Sequence, residues 1–257
     1  MGVSGAAWAT ILAQAVSAVG MIAYCYRKIP FLKLKKQHLQ FSKAAVSQIL
    51  QYSLLTCLQQ SIMNFGILMV QGLVNSFGVA VMAAFAAAVK IDSFAYMPVQ
   101  DFGNAFSTFI AQNYGAAQKD RIRRGIRTAV LTAVLFCIAI SLIVCRYAGQ
   151  LMTIFIRPEE TEIISIGVQY LRIEGICYCG IGCLFLLYGL YRGLGKPGIS
   201  VLLTVISLGT RVTLAYLLAP RPSIGLAGIW WAIPIGWILA DITGIVCYLF
   251  LKRRQRL

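Results

Sequence analysis

The chain has 257 residues, 59% of them hydrophobic and 12% charged, with a mean hydropathy of +0.78. Soluble domains carry about 25% charged residues, so the composition excludes one and defines an integral membrane protein. The net charge of +15 does not mark a nucleic-acid partner, because the cations sit in short loops between apolar runs rather than on one basic face.

The first apolar run covers 3–26 and is followed by Arg27, Lys28, Lys33, Lys35, Lys36 and Lys43. It lacks the basic start that a signal peptide needs, and the cations after it place its N-terminus outside. Residues 1–27 therefore form a first span, and 28–46 a cytoplasmic linker with an amphipathic helix at the interface. His38 lies in that linker and reads as a solvated loop residue. A second span covers roughly 47–74, where Gln60, Asn64 and Gln71 fall on one helical stripe. That stripe suits either a hydrogen-bonded helix seam or a cavity wall.

The third span is the longest, about 35 residues from 79 to 113, or ~52 Å as one helix against a hydrocarbon core of ~30 Å. It must project, tilt or break, and Pro98 is the natural place for a break. It carries Lys90, Asp92 and Asp101, and charges near the bilayer centre cost ~2.5–3.5 kcal/mol each on insertion scales. Lys90 and Asp92 point to different sides of a helix and cannot pair. Lys90, Ser93, Met97, Asp101, Asn104 and Thr108 share a face, which is expected to line a polar cavity. A basic run from Lys119 to Arg127 returns the chain to the cytosol.

The fourth span is about 127–147, followed by an external loop over 148–162. The fifth runs to about 191 and puts Tyr170, Glu174, Tyr178, Phe185 and Tyr188 on one aromatic face around a carboxylate. Such a face suits an organic cation, through charge and the ring quadrupole. The competing reading has Glu174 reaching the outer headgroups. The sixth and seventh spans cover 198–219 and 228–250. Arg211 and Asp241 sit at similar depth in them and read first as an ion pair, second as a coupling site for H+ or Na+. Most of the 23 Lys and Arg then fall on one side, with the C-terminus cytoplasmic.

Small residues at every fourth position (Gly236, Ala240 and Gly244; Ala80, Ala84 and Ala88) and the pair Gly189 and Gly193 allow close helix approach. The fold class is thus all-α, a bundle of about seven transmembrane helices. The eight cysteines fall in or beside apolar runs and read as small interior residues. Cys177, Cys179 and Cys183 have no His or carboxylate at ligand spacing, so no metal is expected. With no phosphate loop and no nucleophile beside an orienting histidine, transport fits and enzymology does not. A seven-helix receptor is disfavoured, because the seventh span has Asp241 and no lysine for a retinal Schiff base.

Four segments carry a family resemblance: Gln59-Gln-Ser-Ile-Met-Asn64, Val70-Gln-Gly-Leu-Val-Asn-Ser-Phe77, Ala111-Gln-Asn-Tyr-Gly-Ala116 and Tyr191-Arg-Gly-Leu-Gly-Lys-Pro197. Together the chain resembles the multidrug and toxic compound extrusion (MATE) family of secondary transporters, over spans six to twelve of twelve. The resemblance implies one six-helix lobe, 47–257, of a two-lobe transporter, plus one extra helix, 1–27, from the other lobe. It accounts for the odd span count and the external start, and it implies that a first lobe is missing or is supplied as a separate chain. It also implies H+- or Na+-driven antiport of cationic amphipathic drugs across a plasma membrane, such as a bacterial inner membrane, with no cofactor. Candidate substrate- or ion-binding residues are Gln60, Asn64, Lys90, Asp92, Asp101, Glu174, Tyr178 and Asp241. The second span has no Asp or Glu where some family members carry a coupling carboxylate. A lipid-linked oligosaccharide flippase of the same superfamily and an inactive truncated remnant are the alternatives.

Overall fold

A computed structural model describes residues 2–29, 41–221 and 224–253. The linker helix expected within 28–46 falls largely outside the described residues, as do His38 and the last four residues. The chain divides into two units, Met1–Leu50 and Gln51–Leu257. The first contains α1 (Gly2–Lys28) and the opening turns of α2 (Lys43–Asn75). Ser42 Oγ accepts from the amide of Ala45 at 3.4 Å, a side-chain cap at the start of α2. The apolar side chains of α1 are exposed: Trp8, Leu12, Val16 and Val19 all present more than half their surface. That distribution suits lipid or another helix rather than water.

The second unit continues α2 and adds α3 (Val79–Gly115), α4 (Lys119–Met152), α5 (Thr161–Ile176), α6 (Tyr178–Gly193), α7 (Pro197–Leu218) and α8 (Gly225–Arg253). Six of the described helices are long and apolar enough to cross a membrane alone. The expected fifth span is instead two helices, α5 and α6, bent by 54° at Cys177. Its backbone there leaves the helical region (φ −101°, ψ 9°), and two short-range bonds bridge the break: Cys177 N–H to Glu174 O and Gly180 N–H to Cys177 O. Gly175 beside the bend packs against Cys145 of α4, where an added Cβ would stand 2.9 Å from its Sγ. Counting the pair as one span gives seven.

Pro98 does not break α3. The helix is continuous over 37 residues, about 55 Å long. One absent amide does not outweigh the packing of its two halves, since α3 lies against α4, α5 and α6 along its length. Close approach is visible where small residues recur. A Cβ on Gly189 would stand 2.4 Å from the carbonyl oxygen of Gly103, and one on Gly236 2.3 Å from that of Ser207. Glycine at these two positions is what lets α6 meet α3 and α8 meet α7. Tyr191 adds a polar clasp, donating to the Gly244 carbonyl at 2.6 Å between α6 and α8.

Candidate substrate cavity

The second unit holds an open cavity of about 300 Å³ bordered by every helix of that unit except α4. Its first wall is α2, which contributes Gln60, Asn64 and Gln71. On α3, Phe85, Asp92, Tyr96 and Gln100 recur at spacings of seven and four residues and so form one inward stripe. The bend at Cys177 lets α5 and α6 present one acidic and aromatic wall from two directions, with Tyr170 and Glu174 on α5 and Phe185 and Tyr188 on α6. Ser207 and Arg211 of α7 and Trp237 of α8 complete it.

Asp92 is the focus. Its side chain is 2% exposed, and both oxygens are held by phenols. Tyr170 donates to Oδ2 at 2.9 Å, and Tyr178 donates to Oδ1. Glu174, 3% exposed, lines the same cavity, and its Oε1 has no partner. Arg211 is the cation whose field reaches both acids, and its buried Nε is unpartnered. Behind Tyr170, Phe85 stacks on Trp230 with centroids 5.4 Å apart, and Tyr170 meets Trp230 edge-on at 4.9 Å. That aromatic wall fixes the phenol that holds Asp92.

The structure brings together Gln60, Asn64, Asp92 and Glu174 at the cavity, with Tyr178 bonded to Asp92. Lys90 and Asp101 are not brought to it. Lys90 lies on another side of α3 in a shallow recess with Ser93, Phe94, Met97 and Phe155, its Nζ 5.8 Å from the Phe155 ring centre. Asp101 is exposed. The face from Lys90 to Thr108 is therefore not the face that carries the cavity stripe. Asp241 also stands apart, between α6 and α8, where its Oδ2 would be 3.8 Å from a Cβ on Gly180. The expected ion pair between Arg211 and Asp241 does not form: Arg211 turns to the cavity, and Asp241 Oδ1 is unpartnered. Residues the sequence reading passed over are Phe85, Tyr96, Gln100, Ser207 and Trp237. The spacing of Phe85, Asp92, Tyr96 and Gln100 was the available signal.

An apolar exterior around an inward cluster of carboxylates, phenols and one guanidinium defines an all-α, multi-pass membrane protein. The chain belongs to the MatE family, whose profile matches residues 52–217. It is 27% identical over 243 residues to "Probable multidrug resistance protein NorM" of Thermotoga maritima, covering 94% of this chain and 51% of that protein. It is 27% identical over 209 residues to "Probable multidrug resistance protein YpnP" of Bacillus subtilis, covering 80% and 46%. The chain thus spans about half the length of the curated relatives it matches. Among solved structures, it shares the fold of a MATE protein in complex with MaL6 (TM-score 0.90, 22% identity, all of this chain and 58% of that one). It also shares the fold of a MOP superfamily transporter from Pyrococcus furiosus (TM-score 0.88, 22% identity, 99% and 56%), whose description speaks of a binding pocket of reverse polarity.

Proposed function

We propose that this chain forms one lobe of a multidrug antiporter that exchanges cationic amphipathic drugs for H+ or Na+, with its basic helix ends in the cytosol. A second six-helix lobe, in the same polypeptide or another, completes the cavity. The observation that carries this reading is Asp92, a buried carboxylate held by two phenols, with Glu174 and an aromatic wall beside it. An organic cation finds there both a countercharge and ring faces. The same carboxyls can hold the exchanged ion, so drug and ion compete for one site, which is the condition for antiport. Relatives named as multidrug resistance proteins support the substrate class.

The test is efflux of ethidium from cells that lack their own pumps, with the assembled transporter carrying Asp92→Asn and Glu174→Gln. The expected result is loss of efflux at unchanged membrane abundance, with an imposed H+ or Na+ gradient identifying the ion. Undiminished efflux in the double variant overturns the assignment. Arg211 in the same cavity favours a second reading, a substrate with an anionic group such as a lipid-linked phosphate. In that case Arg211→Gln abolishes transport while Asp92→Asn preserves it.

A further inference from the structure

At the opposite end of α6 from its bend, a second cavity of about 250 Å³ lies beneath the turn from α3 to α4, between α4, α6 and the end of α8. Lys119 and Arg123 of α4 and Lys252 of α8 converge on it, with Tyr114 and Tyr248 beside them. Among the described residues, none of the three cations forms an ion pair, and no carboxylate lines the cavity. The first turn of α4 also carries Asp120, which is not among the residues that line the cavity. Its floor is apolar, with Ile122, Leu190 and Leu194 all buried.

The floor continues. Ile126, Leu190 and Tyr248 also line a neighbouring groove of about 180 Å³, whose remaining walls are wholly apolar. Val130, Leu186, Leu187 and Ile245 carry that groove along α4, α6 and α8, away from the basic end. A three-cation mouth that opens directly into a hydrocarbon slot has the polarity pattern of a phospholipid: an anionic headgroup at the interface and an acyl chain along the helices.

We infer that this crevice between α4, α6 and α8 is a binding site for an anionic phospholipid, with Lys119, Arg123 and Lys252 holding the phosphate and the Val130–Ile245 groove holding a chain. Charge complementarity selects the headgroup, since nothing within the cavity neutralises the three cations. Continuity with the groove selects a lipid over a soluble phosphate, because a free anion makes no use of the apolar slot. The site lies outside the drug cavity: the two share none of their lining residues.

Native mass spectrometry tests this on protein equilibrated with equal amounts of phosphatidylglycerol and phosphatidylcholine. The wild type is expected to retain phosphatidylglycerol selectively. Lys119→Ala, Arg123→Ala and Lys252→Ala combined should lower that retention on the order of tenfold or more. Arg121→Ala with Arg124→Ala, which removes two exposed cations outside the crevice, should leave it unchanged. Val130→Trp keeps every charge and fills the groove from the exposed side of α4, so it should lower retention as well. Equal retention of both lipids, or an unchanged triple variant, overturns the site. A loss in the triple variant with none in Val130→Trp overturns the acyl groove and leaves a bare phosphate site, at which inorganic phosphate alone should then compete away phosphatidylglycerol.

Discussion

The Tyr170 hydroxyl stands 2.9 Å from Asp92 Oδ2, joining two helices through residues 78 positions apart in the chain. With Tyr178 on the other oxygen, this bond supports a buried carboxylate at the cavity wall. Tyr170→Phe keeps the ring against Phe85 and Trp230 and removes only the donor. A hydrogen bond to a charged group contributes about 1.5–3 kcal/mol, so ethidium affinity of the assembled transporter should fall by roughly ten- to a hundredfold. Fluorescence titration measures it; unchanged affinity would mean that Asp92 does not meet the cation.

Glu174 supplies the second carboxyl, and its Oε1 has no partner of its own. If the pair exchanges a proton against drug, ethidium binding by the wild type should strengthen as pH rises and the carboxyls ionise. Glu174→Gln removes one titrating group and should flatten that dependence while Asp92 still binds the cation. A pH profile identical to wild type would reduce Glu174 to a packing residue.

Packing between helices makes its own prediction. A side chain at Gly189 collides with the Gly103 carbonyl, and one at Gly236 with that of Ser207, and neither carbonyl belongs to a flexible side chain. Gly189→Leu and Gly236→Leu should each destabilise the bundle by at least about 1–3 kcal/mol. Gly72→Leu, with nothing within 4 Å of its Cβ, should not. Thermal unfolding of the detergent-solubilised protein ranks the three; equal midpoints would contradict the close contacts.

Much of this architecture was legible in the sequence because lipid makes helix length and loop charge strong constraints. The long α3 and the small-residue seams follow from local periodicity alone, whereas the acidic-aromatic face around Glu174 is drawn from two helices across a bend that periodicity does not show. What was not legible depends on distant partners. Whether Lys90 or Asp92 faces inward is decided by Tyr170 and Tyr178, each more than 75 residues away. That Arg211 turns to the cavity holding the acids of α3 and α5, and not to Asp241, is likewise a tertiary choice. The bend at Cys177 has no proline to announce it, and Pro98 announces a break that packing suppresses.

The two sides of α3 make the sharpest test of the cavity. Gln60 and Asn64 line it from α2, whereas Lys90 sits in a recess with Phe94, Met97 and Phe155, whose surroundings are almost entirely apolar. Lipid excludes charged thiol reagents, while a polar cavity admits them. In a cysteine-free background, which requires replacing all eight native cysteines, Gln60→Cys and Asn64→Cys should react with a membrane-impermeant methanethiosulfonate. Their rates should fall when saturating ethidium occupies the cavity. Lys90→Cys should react far more slowly and without any effect of ethidium. Fast, ethidium-protected labelling at position 90 would move the cavity to the other face of α3, and inert Gln60→Cys and Asn64→Cys would make the α2 stripe a helix seam.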